Sequence, residues 1–189
     1  MKYPDVAYRI LRLTVLLPIT IIILCGCENK NDKIPNSDIH NLPTLSRKEF
    51  ETIYSDSGKI ELIMRSPMVE QYDNASQPYY EFRMGMHVDL YNKKPEPTGS
   101  VTSKYAKYTQ GSNVWELKDS VVVINEKGDM LETEVLYWDQ SKDLIYSDRF
   151  VKFTNEDQIV MGTGFESDPH LRKRKIRKVS ATIYLKDEE

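Results

Sequence analysis

From Asn113 to Phe153 the chain reads NVWELKDSVVVINEKGDMLETEVLYWDQSKDLIYSDRFVKF, and its apolar positions recur with a period near two, with no sign of the helical period of about 3.6. Val121, Val122, Val123 and Ile124 form a β-branched run, and Asn125-Glu-Lys-Gly128 supplies a turn with glycine where a positive φ is needed. Met130 to Trp138 is a second run, with Glu132 and Glu134 on one side and Leu131, Thr133 and Val135 on the other. Asp139 to Asp143 makes the next turn, and Leu144 to Tyr146 and Phe150 to Phe153 add two strands. The pattern predicts an antiparallel meander, apolar on one face and polar on the other.

The meander repeats itself. Trp115-Glu-Leu117-Lys-Asp119 followed by Val121 to Glu126 recurs as Ile145 to Asp148, then Phe150-Val-Lys-Phe153 and Asn155-Glu156, so that Asp119 returns as Asp148, 29 residues on. A fainter copy lies upstream, around Val88 to Asn92 and Ala106 to Tyr108. A unit of about 30 residues signals stacked supersecondary elements, here hairpin pairs that bury an apolar face only against their neighbours.

The same alternation extends outward. Lys59 to Arg65 carries Ile60, Leu62 and Met64 on one face and Glu61 and Arg65 on the other; Ser66-Pro67 is read as a break, and Val69 to Asp73 as a short return. Tyr79 to Met84 and Met86 to Tyr91 flank Gly85, Lys93 to Gly99 is a hairpin loop, and Val101 to Tyr108 leads into the central stretch. Gln158 to Phe165 contains Gly162 and Gly164, which mark a bulge or a close backbone approach. In Lys175 to Leu185, Val179, Ala181, Ile183 and Leu185 alternate with Lys178, Ser180, Thr182 and Tyr184. About ten to twelve short strands with no helices between them predict an all-β sandwich, jelly roll or open barrel. The last run has only Lys186 to Glu189 after it and is expected to form an edge, with Val179, Ala181, Thr182 and Ile183 as a docking rail.

The first 26 residues read as a leader rather than as fold. Lys2, Arg9 and Arg12 form a basic start interrupted by Asp5, and Leu13 to Leu24 is apolar but shorter than the ~20 residues that span a bilayer. Leu24-Cys25-Gly26-Cys27 resembles a bacterial lipoprotein processing site, with Cys27 as the acylated residue; the alternative is an uncleaved membrane anchor that begins near Val6. Residues 27–57, rich in Asn, Lys, Asp and Pro at the start, are read as a lipidated N-terminus and tether, with Arg47 to Tyr54 left open as a helical turn or an edge element. The folded domain is expected at 58–185 and a polar tail at 186–189.

Composition narrows the chemistry. The chain is 29% charged, 40% hydrophobic and carries −3 overall, which gives no signal for nucleic acid. Cys25 and Cys27 are its two cysteines, so residues 28–189 hold no disulfide, thiol nucleophile or cysteine-ligated metal. His40, His87 and His170 lack a second ligand at metal spacing. Asp139, Asp143, Asp148 and Asp168 fall in turns, where aspartates cap locally. Gly162-Thr-Gly164 has no helix or lysine behind it to cradle a phosphate. No catalytic residues, metal or cofactor are therefore assigned. The basic run Arg172 to Lys175, with Arg177 and Lys178, is either a solvated turn that shields an edge strand or a surface for anionic headgroups.

A resemblance gives these features a setting. Trp115 to Asp119, Gly128-Asp-Met-Leu131-Glu-Thr133-Glu, Leu136-Tyr-Trp138-Asp, Asp148, Val151 and Gly162-Thr-Gly164-Phe165-Glu-Ser-Asp168 resemble the LptC family, the periplasmic C component of the lipopolysaccharide export system, over about Gly58 to Leu185. The resemblance implies a twisted, half-open β-jelly roll whose groove holds lipid A acyl chains, on the periplasmic side of a Gram-negative inner membrane. Its implied partners are lipopolysaccharide, the inner-membrane export ABC transporter and an LptA-like periplasmic bridge protein. Leu62, Val121, Leu131 and Ile183 are the expected groove-facing positions. On the lipoprotein reading, the chain is expected to depart from better-known members, with a lipid anchor where they keep a transmembrane helix. The competing reading is an envelope lipoprotein whose β-sandwich binds carbohydrate or another lipid; a hydrolase on the same scaffold would need an acid/base pair that the sequence lacks.

Overall fold

The computed structural model describes residues 42–91 and 94–185, all of them strand, turn or coil. The expected leader, Cys27, the first part of the tether and the 186–189 tail lie outside the described residues. Eleven strands form one antiparallel sheet: β1 (Leu45–Asp56), β2 (Lys59–Tyr72), β3 (Tyr79–Phe82), β4 (Met86–Leu90), β5 (Gly99–Ser103), β6 (Tyr105–Thr109), β7 (Val114–Ile124), β8 (Met130–Asp139), β9 (Leu144–Thr154), β10 (Gln158–Ser167) and β11 (Lys175–Tyr184). The alternation predicted an all-β chain and the resemblance implied a β-jelly roll, and the structure is both.

Two boundaries differ from the sequence reading. Leu45 to Asp56 is a strand, so the sheet begins before residue 58, and Ser57-Gly58 is a hairpin turn with both φ positive, at 51° and 77°. Nor does Ser66-Pro67 end a strand. β2 runs through it, pairing with β4 over Leu62–Arg65 and with β3 over Glu70–Tyr72. No pairing with β3 or β4 falls between those stretches, so the missing Pro67 N–H costs no bond on that side.

The strands bend in register, and the bends fold the sheet over on itself. β3 and β4 are two halves of one strand interrupted around Gly85, and β5 and β6 are two halves interrupted at Lys104. β7 bends at Asp119 and Ser120 (φ 62° and 56°), β8 between Thr133 and Tyr137, β9 beside Asp148, and β10 at Gly164 (φ 83°). A bend frees backbone groups that must be satisfied elsewhere. Buried hydroxyls take several of them: Ser66 Oγ donates to Gly85 O at 2.7 Å, Thr133 Oγ1 to Phe150 O at 2.8 Å and Ser147 Oγ to Val135 O at 2.6 Å, and Ser147 Oγ accepts from Arg149 N at 3.1 Å. The 29-residue repeat is therefore structural, because β7 and β9 bend at equivalent aspartates.

The crease divides the sheet into two arms that share one core. Met86, Val88, Val121, Val123, Leu131, Val151 and Phe153 come from one arm; Val69, Phe82, Ala106, Leu117, Leu136 and Ile145 come from the other. Phe165 and Leu171 complete the cluster, and Leu131, Phe153, Phe165 and Leu171 are fully buried. Burying four such side chains contributes on the order of 6–12 kcal/mol before ordering costs.

Candidate functional site

Three features of the fold are available for binding: the inner face of the folded sheet, its two end strands, and the loop between β10 and β11.

Cross-strand register defines the inner face. Met64, Val88, Val101, Val123, Leu131, Phe153, Val160 and Thr182 lie in one row across the first arm. Buried Val88, Val123, Leu131 and Phe153 mark that row as interior. Leu62, two residues from Met64, is half-buried against the core, and Val121, paired with Thr133, is buried. Leu62, Val121 and Leu131 thus face inward. Ile183 does not. It pairs with Ile159, in the row of Thr154, Met130 and Ile124 on the opposite face, and is 48% exposed. The reason is a bulge: Met161 pairs with Ala181 and Gly162 with Val179, so the extra residue Ser180 reverses the alternation.

The second arm adds a row that the hydrophobic pattern does not single out. Tyr80, Tyr108, Trp115 and Trp138 are aligned by register, two positions from the buried row Phe82, Ala106, Leu117 and Leu136. Their rings stack, with centroids 6.5 Å apart for Tyr80–Tyr108, 4.9 Å for Tyr108–Trp115 and 5.7 Å for Trp115–Phe82. Tyr80, Trp115 and Trp138 are partly exposed while packed on the core. They form an aromatic rim to the interior, opposite the half-buried Leu62, Met64, Leu90 and Val101. Twelve tyrosines in the sequence hint at such a rim, but only strand register shows which of them share a face.

The sheet order runs from β11 through β10, β9, β8 and β7 towards β2, and β1 pairs with β2 alone, so β1 and β11 are the two ends. Both ends expose apolar side chains: Ile53 and Tyr54 on β1, and Val179, Ile183 and Tyr184 on β11. On β11, Leu185 N donates to Asp157 O at 2.8 Å. The two-residue period then turns the Ile183 N–H towards β10 and the Thr182 N–H away from it. Val179 and Thr182 belong to the inner rows, whereas Ala181 and Ile183 belong to the outer ones. Next to β1, Arg65 of β2 links Glu51 of β1 to Asp89 of β4, at 2.7 and 2.5 Å. Beside it, Phe50, Pro67, Met84, Met86 and Ser103 line a cleft of about 560 Å³ at the crease.

The loop from Asp168 to Arg174 closes one side of the interior. Leu171, with φ 59°, inserts into the core. Asn125 Nδ2, on the β7–β8 turn of the facing arm, donates to His170 O at 3.1 Å. Arg174 lies over the Phe153 ring, 4.2 Å from its centroid. Asp168 accepts from Lys173 N at 2.7 Å and from Arg172 Nε at 3.0 Å. Burial pushes the Asp168 carboxyl up, but these donors more than offset it and hold its pKa at about 2. Asp139 has the same local role, accepting from Lys142 N and Nζ at 3.1 and 2.7 Å. These aspartates cap turns, as their sequence positions suggest. His87 pairs with Asp89, and among the described residues no group of three or more His, Cys, Asp or Glu side chains could hold a metal ion.

The family model for lipopolysaccharide-assembly, LptC-related proteins matches residues 14–184. The chain belongs to the LptC family. Membership assigns it to lipopolysaccharide assembly, and an LptC jelly roll accounts for the folded sheet, the apolar inner face and the two end strands together. No curated protein matches the chain in sequence. Among the described residues no helix is long and apolar enough to cross a membrane.

Proposed function

We propose that this LptC-family chain is a non-enzymatic lipopolysaccharide carrier of the trans-envelope export bridge. It accepts lipopolysaccharide from the inner-membrane ABC transporter and passes it to an LptA-like periplasmic partner of similar fold. The observation that carries this reading is the apolar inner face, rimmed by Leu62, Met64, Leu90, Tyr80, Trp115 and Trp138, in a sheet whose two end strands, β1 and β11, each pair on one side alone among the described residues. Acyl chains in water cost ~0.8 kcal/mol per exposed CH₂, so a face continuous from one protein to the next removes the main barrier to moving them. Strand addition at β1 and β11 supplies that continuity through main-chain hydrogen bonds. The domain stands on the periplasmic side of the inner membrane, held there by acyl groups on Cys27. Binding of carbohydrate by the same sandwich is less well supported, because the partly exposed inner positions are mostly apolar.

The groove is tested by photo-crosslinking amino acids in cells that are exporting lipopolysaccharide. Positions Leu62, Val121 and Leu131 are expected to include sites that capture the lipid; Glu61, Glu132, Lys178 and the outward-facing Ile183 are expected to capture none. Capture confined to the second set, or capture at neither set while export continues, removes the carrier assignment.

A further inference from the structure

Six cations lie between Arg172 and Lys178 in a chain of net charge −3. Arg172 is paired with Asp168 and Arg177 with Glu166. Lys173, Arg174, Lys175 and Lys178 have no carboxylate partner among the described residues, although Glu166 stands directly across from Lys175 in the strand register. All four are exposed.

The backbone beneath them is fixed. Leu171 is buried in the core, Asn125 holds His170 O, and Asp168 holds Lys173 N. The four cations are therefore presented from a set position, which lowers the ordering cost of binding an anion. Arg174 also adjoins the apolar interior, whereas Lys178, in register with Thr163 and Phe150, lies on the outer face. The Arg174 guanidinium lies over Phe153, a fully buried ring whose row continues through Leu131 and Val123. A ligand that satisfies both features is an amphiphile with an anionic head and apolar chains. Fixed cations favour phosphate, which accepts several charge-assisted hydrogen bonds at once.

We propose that Lys173, Arg174 and Lys175 form the phosphate-binding site for the headgroup of an acylated, phosphorylated lipid whose chains enter the interior beside the β10–β11 loop. This rests on the carrier reading above and names the part of the cargo that is read by charge. Arg174 is the pivot of the site, since it touches the interior and is itself exposed.

The test uses the full chain in a non-ionic detergent and two probes, lipid A and the same lipid A stripped enzymatically of its phosphates. The wild type is expected to bind the phosphorylated form about tenfold more tightly, with a preference that shrinks as salt is raised. The double variant Lys173→Gln, Lys175→Gln is expected to lose that preference and keep its affinity for the dephosphorylated lipid. Arg174→Lys, which keeps the charge, is expected to retain most of the preference. An unchanged preference in the double variant, or equal loss for both lipids, overturns the site. Displacement of lipid A by inorganic phosphate at low millimolar concentration also overturns it, since that would make this a free-anion site. A wild type that binds both lipids equally defeats this inference alone, whereas one that binds neither defeats the carrier reading with it.

Discussion

Asp168 shows how one side chain secures a loop to a core. Its carboxylate is mostly buried, accepts from Lys173 N and Arg172 Nε, and has a pKa brought down to about 2. A depressed carboxylate pKa stabilises the fold above the unfolded value near 4, and that contribution disappears as pH falls through the folded value. Wild type is therefore expected to lose about 2 kcal/mol relative to Asp168→Asn between pH about 5 and pH about 2. Urea unfolding of both proteins across that range measures the difference, and parallel curves would dismiss Asp168 as the anchor. Sequence alone identifies Asp168 as a turn residue. It cannot show that the turn reaches the opposite arm, because the Asn125–His170 bond joins residues 45 positions apart.

Strands were legible wherever one face is buried. β7, β8 and β9 keep Val121, Val123, Leu131, Val151 and Phe153 inside, and their period is plain in the sequence. β1 shows almost none of this: every residue but Phe50 is exposed, so no apolar stripe forms to be read. β11 has a visible stripe, but the bulge at Ser180 moves Ile183 to the outer face, and a bulge leaves no mark in hydrophobicity. The edge position of β11 makes a specific demand on Thr182, whose N–H points away from β10. Thr182→Pro removes that donor without touching the β10 ladder. Melting is expected to fall by less than about 4 °C, as for a change of about 1 kcal/mol, while affinity for the bridge protein drops by about tenfold or more. A collapse in melting temperature, or intact partner binding, would rule out β11 as the docking edge.

At the scale of the whole molecule, the domain is proposed to be held to the bilayer through Cys27. Several acyl chains at ~0.8 kcal/mol per buried CH₂ would retain it firmly. A metabolic fatty-acid label is expected to enter the wild type and to be absent from Cys27→Ala; an unlabelled wild type would remove the anchor.

The crease that runs across the strands has a mechanical consequence. Ladder hydrogen bonds lie between neighbouring strands, along the crease, while β7, β9 and β10 cross it at a bulge or a left-handed residue and the β3–β4 and β5–β6 pairs at a break. Swinging the arms apart about that line stretches side-chain packing and leaves the ladders whole. Opened in this way, the sheet would turn as a book on a soft spine, with the β10–β11 loop as the latch on its covers. On the carrier reading proposed above, its capacity is set by how far the book opens, so one sheet would accept acyl chains of different number and length without redrawing a single strand pairing.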